Sequence, residues 1–99
     1  MSKRIPVIHP GEILEKEFLK PLHLTAYRLA KETHLSLTRI SEIVKGKRCI
    51  TADTAIRFSK YFGNSAEFWL GLQVEYDLRK EYLKHRKDIE SIKQLKIAM

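Results

Sequence analysis

The chain has 99 residues, and 43% hydrophobic side chains with only four Gly and three Pro describe one small globular domain rather than a disordered or fibrous chain. Nineteen Lys and Arg against twelve Asp and Glu leave a net charge of +7. No apolar run nears the roughly 20 residues of a membrane helix, no apolar segment follows the N-terminal charges, and the lone Cys49 allows no internal disulfide, which excludes a membrane protein, a disulfide-built secreted domain and a large enzyme, and points to the cytoplasm.

His9-Pro10-Gly11-Glu12 opens the first helix, with Pro at a first helical position and Glu12 near the amide-rich end. Leu14 and Phe18, four apart and with Ile13 beside them, begin its apolar stripe, and Pro21 ends it. Thr25 caps a second helix whose inner face holds Leu29 and Ala30. Ser36 caps a third, with Ile40, Ile43 and Val44 inward and Gly46 where a helix-ending glycine belongs. Thr51 caps a fourth, carrying Ala52, Ala55, Ile56, Ser59 and Phe62 at helical spacing and closed by Gly63. Ser65 caps a fifth, which begins with Phe68, Trp69, Leu72 and Tyr76 and extends to Tyr82 and Leu83. No stretch alternates as a strand does. The expected fold is all-α, five helices with a longer last one.

That last helix carries more rings than a four-helix core needs to cover. Phe68 and Trp69 read first as completing the core, whereas Tyr76, Leu83 and the residues beyond fit a partner surface as well. Trp69, Tyr76, Tyr82 and Leu83 together form the candidate self-association set. Residues 1–8 read as an N-terminal arm, 9–83 as the domain, and 84–99 as a frayed or weakly docked tail.

The second and third helices are joined by the minimal linker His34-Leu35-Ser36, and their packing positions match a helix-turn-helix. Ala30 is small where the helices cross, Leu35 plugs the turn, Ile40 and Ile43 seat the second helix, and Leu29 buries the first. At about 100° per residue from Ile40, the outward positions are Thr38, Ser41, Glu42 and Lys45, flanked by Arg39 and Leu37. Short hydroxyls allow close approach to a groove, and donors reach base edges or phosphates. Ser36 leaves amides at the helix start, and Lys45-Gly46-Lys47-Arg48 sets three cations on a turn suited to a nucleic-acid backbone. The first fifty residues hold ten Lys and Arg against five Asp and Glu, so the basic excess lies mainly here. Other uses of these residues stay open. Arg39 and the three cations also fit a solvated surface, Leu37 fits a core edge or a thymine methyl contact, and Glu42 fits a cytosine amine or a neighbouring lysine.

Three runs, HPGEIL from His9, LAKETHLSLTRISEIVKGKR, and ITADTAIRFSKYFGNSAEFWLGLQVEYDL, closely resemble the HigA-type antitoxins. These are lambda-repressor-like (XRE) helix-turn-helix proteins, also labelled virulence-associated protein I. The resemblance covers residues 7–83, and the KGKR-x-IT-x-DTA-x-R and G-x-SAEFWL-x-LQ stretches are its specific parts. It implies a homodimer that binds double-stranded operator DNA, represses its own operon and neutralises a HigB-type RNA-cleaving toxin, without a cofactor. The DNA contacts of the class carry over onto Ser36, Leu37, Thr38, Arg39, Ser41, Lys45, Lys47 and Arg48. Two positions depart from the class. His34 replaces the usual turn glycine, which calls for a left-handed backbone or another turn geometry, and Ala26 replaces a polar residue that touches phosphate. The toxin surface stays open between the first helix with the arm (Lys3, Arg4, Ile5) and the C-terminal tail.

Catalytic patterns are weak. His9, His23, His34 and His85 lack metal-ligand spacing, Cys49 has no neighbouring base, and Lys45-Gly46-Lys47 lacks the rest of a phosphate loop. The expectation is a protein without enzymatic activity or bound metal. A free-standing repressor and a protein-binding inhibitor that uses the motif only as scaffold are the competing readings.

Overall fold

The first helix starts at a proline capped by a histidine. In the computed structural model, which describes residues 7–96, His9 Nδ1 accepts a hydrogen bond from the Gly11 amide at 2.9 Å, and α1 runs Pro10–Ile13. The proposed arm residues Lys3, Arg4 and Ile5 lie outside the described part. The helix then widens into a π-helical stretch, Leu14–Leu19. Residues five apart on an α-helix point about 140° away from each other. The i→i+5 turn brings Leu14 and Leu19 to one side, and both are buried. The expected stripe of Leu14 and Phe18 is thus completed by Leu19, while Phe18 is half-buried.

The next four helices begin at the residues expected of them. Thr25 Oγ1 accepts from the Arg28 amide at 3.0 Å ahead of α2 (Ala26–Thr33), and Ser36 Oγ accepts from the Arg39 amide at 3.1 Å ahead of α3 (Leu37–Val44). Ser65 does the same for the Phe68 amide before α5 (Ala66–Lys84). Thr51 occupies the cap of α4 (Ala52–Phe62), but its hydroxyl meets the Thr54 hydroxyl instead of an amide.

Three of the turns close alike, with a left-handed residue followed by an amide reaching back five positions. His23 (φ 51°), His34 (φ 62°) and Gly46 (φ 77°) take the left-handed position. The amides of Leu24, Leu35 and Lys47 bond to the carbonyls of Leu19, Ala30 and Glu42 at 2.8–2.9 Å. His34 therefore keeps the class geometry in a conformation that strains a side chain other than glycine.

Leu14, Leu19, Leu24, Leu29, Ala30, Ile40, Ile43, Ile50, Ala55, Phe58 and Trp69 make the core. On α4 the buried face is Thr54, Ala55 and Phe58, about one position round from the expected stripe, and Ile56 is 59% exposed. Phe58 supplies the ring that meets Trp69 edge-on, their centroids 5.1 Å apart. Trp69 has no exposed surface. Its ring is also packed by Phe18, Phe62 and Phe68, and its Nε1 donates to Asn64 Oδ1 at 2.9 Å. It therefore leaves the self-association set, because its ring lies wholly within the chain's own core.

Only Trp69 and Gln73 are buried on α5. The rest of this 19-residue helix projects, and the radius of gyration is 17.0 Å against about 13 Å for a compact chain of this length. The expected frayed tail begins instead as a short helix, α6 (Arg86–Glu90), held by Glu90, which accepts from the Tyr82 hydroxyl at 2.5 Å and from Arg86. Among the described residues, no helix is long and apolar enough to cross a membrane.

Candidate nucleic-acid interface

The outer face of α3 starts where the Ser36 cap leaves it, with Ile40 and Ile43 fully buried on the opposite face. Thr38 and Lys45 are exposed, Ser41 is half-buried, and Leu37 is 46% exposed. Lys47 and Arg48 are exposed on the following turn. Among the described residues, neither Lys45 nor Lys47 is in an ion pair. Among the described residues, no helix buries Thr38, Lys45 or Lys47.

Two of the charged candidates have partners inside the chain. Arg48 holds Glu42, with Nη2 2.7 Å and Nε 2.8 Å from Oε1, so Glu42 pairs with an arginine rather than with a lysine. Arg39 Nη1 lies 3.2 Å from Asp53 Oδ2, across the gap between α3 and the first turn of α4. Asp53 Oδ1 in turn accepts from Arg57 Nε at 2.9 Å, and Arg57 Nη1 donates to the Thr33 and His34 carbonyls at 3.1 Å each. The Arg57 guanidinium, and then that of Arg39, hold the Asp53 carboxyl below its ordinary range. The end of α2, the start of α4 and the outer face of α3 are thereby joined through Asp53 and Arg57.

The basic turn is braced from two sides. The Gln73 side chain, buried on α5, accepts from the Ile50 amide at 2.7 Å and donates to Asp77 at 3.0 Å, which fixes the strand of chain leaving the turn. The His9 ring lies against Gly46, where an added Cβ would come 3.7 Å from it, and meets Tyr76 edge-on at 4.9 Å. Burial lowers the His9 pKa, Asp77 opposes that shift, and Lys80 adds to it. At α1, Gly11 passes so close to α3 that a Cβ would stand 1.7 Å from the Ile43 carbonyl oxygen. Only glycine permits this approach.

Asp53, Arg57 and Gln73 escaped the sequence reading as functional residues. The signals were an acid four residues before an arginine on one helix, and a polar residue four after Trp69 on an inward face. All three fall inside the two stretches that carry the resemblance.

Residues 16–69 match the helix-turn-helix family. The chain is 56% identical over 78 residues to virulence-associated protein I of Dichelobacter nodosus, covering 79% of this chain and 72% of the relative. A Pseudomonas aeruginosa protein, PA4674, solved in complex with its operator DNA, is 43% identical at a TM-score of 0.88, covering 91% of this chain and 96% of that one. The Pseudomonas aeruginosa antitoxin HigA, solved with the higBA promoter, is 40% identical at a TM-score of 0.87, covering 93% of this chain and all of that one.

Proposed function

The chain belongs to the helix-turn-helix family, with HigA antitoxins among its relatives, and from that premise we propose that it is a DNA-binding antitoxin that represses its own operon. It is a regulator and not an enzyme. The observation that carries this reading is the uncovered hydroxyl-and-cation face of α3, set on a buried Ile40–Ile43 seam and followed at once by the basic turn. In the proposed complex α3 enters the major groove. Thr38, Arg39 and Ser41 face base edges, Leu37 meets thymine methyls, and the Ser36 end, Lys45, Lys47 and Arg48 meet phosphates. Arg48 retains donors beyond those bound to Glu42.

Two copies bound about 34 Å apart would read two half-sites of one operator. The projecting half of α5 supports such a homodimer. Leu83, Leu78 and Val74 are more than half exposed there, with Tyr82 at 40% and Tyr76 half-buried against His9. A HigB-type RNA-cleaving toxin in the cytoplasm is the proposed protein partner, taken up by the N-terminal arm with α1 or by the C-terminal segment.

Co-expression with the product of the neighbouring gene, followed by a pull-down and a gel shift on the upstream DNA, tests the reading. Copurification and a specific shift are expected. A specific shift without a copurifying partner favours a free-standing repressor, and a partner without any shift reduces the helix-turn-helix to scaffold. Lys47→Ala should weaken binding to every duplex and lower the salt slope by about 0.9. Thr38→Ala should instead erode the preference for the operator.

A further inference from the structure

Asp53 is an acid set at the rim of a basic surface, where phosphates would be repelled. Its side chain is 55% exposed, and exposed ion pairs add little to stability. Both of its carboxylate oxygens are nevertheless engaged, one by Arg39 from α3 and the other by Arg57 from its own helix. Arg57 is itself fixed by the two carbonyls that end α2. The carboxylate is thus held in place from behind, and the only member of the group that belongs to the recognition helix is Arg39.

We propose that Asp53 is a positioning residue for operator recognition: it holds the Arg39 guanidinium in a fixed orientation beside the groove-facing side of α3, so that this arginine meets a base edge already aligned. The inference rests on the DNA-binding reading above. An arginine reads guanine by a planar two-pronged contact, and its fork is useful only when it is oriented. Left alone, a long side chain turns to the nearest phosphate, which every sequence offers. The carboxylate acts against that outcome twice. It ties the guanidinium by a charge-assisted bond, and its negative charge repels the backbone that would otherwise draw Arg39 away. Asp53 therefore trades affinity for any DNA against preference for one sequence.

The test measures dissociation constants of the full chain for a duplex from upstream of its own gene and for a scrambled duplex of equal length. Asp53→Asn keeps the shape and removes the charge. It should lower the ratio of operator to scrambled affinity by roughly fivefold or more, with scrambled binding unchanged or tighter. Its melting temperature should stay close to that of the parent. Arg39→Ala should lower the same ratio, and adding Asp53→Asn to it should change the ratio no further. An Asp53→Asn variant that keeps the full ratio, or that weakens both duplexes equally, overturns the proposal while leaving DNA binding intact. A parent protein that does not distinguish the two duplexes overturns the DNA-binding reading itself, and this inference with it.

Discussion

Replacing Gly11 by alanine tests how α1 is seated on α3. The added Cβ would stand 1.7 Å from the Ile43 carbonyl oxygen and 2.7 Å from its carbon, whereas ordinary contact begins at 3.4 Å. Both atoms are backbone, so no side chain can swing aside, and α1 must retreat from α3 by well over an ångström. A close-packed interior resists such a shift, and overpacking typically costs 1–3 kcal/mol, more when backbone has to move. We place Gly11→Ala at about 3 kcal/mol, which for a domain of this size lowers the melting temperature by roughly 12–24 °C. Gly71→Ala is the matched control. Nothing lies within 4 Å of its Cβ on α5, so the loss of unfolded-state freedom should stabilise by about 0.5–1 kcal/mol. Thermal melts followed by circular dichroism read both signs. A Gly11→Ala protein that melts with or above the parent refutes the close-approach argument.

Three further outcomes are expected. Trp69→Ala should lose about 3–5 kcal/mol in chemical denaturation, because the ring is fully buried among four phenylalanines. His34→Gly should raise stability by up to about 1 kcal/mol, because glycine takes the left-handed turn without strain. Lowering the pH should destabilise the fold through His9, whose folded pKa lies below its ordinary 6.5. Its contribution is present above pH 6.5 and is lost as the pH falls through the lower folded value, and at each pH below 6.5 a His9→Asn variant, which keeps a capping acceptor, should lose less stability than the parent relative to its own value at neutral pH.

What was legible in the sequence was mostly local. Thr25, Ser36 and Ser65 announce their helices because a capping hydroxyl bonds an amide three residues on, inside one short window. The seam of Leu29, Ala30, Ile40 and Ile43 was legible because the motif fixes sizes at fixed offsets. The buried face of α4 was not. Ile56 and Phe58 are both apolar, and packing against Trp69 decides between them. Nor does local pattern announce the π-helical turn, which the need to bury both Leu14 and Leu19 favours. At the candidate interface Thr38, Ser41 and Lys45 followed from helical phase, and Lys47 and Arg48 from the basic run around Gly46. The carboxylate behind Arg39 and the amide behind Ile50 lie 14 and 23 residues away in the chain, beyond the reach of any periodicity.

Because α5 buries only Trp69 and Gln73 and makes its bracing contacts through Tyr76 and Asp77, its part beyond Asp77 is a stalk whose outward side chains can change with little effect on the body. Substitutions at Leu78 and Leu83 can therefore alter what that stalk touches while the Ser36 cap and the buried Ile40–Ile43 seam stay as they are. The two ends of one short chain can thus diverge at different rates.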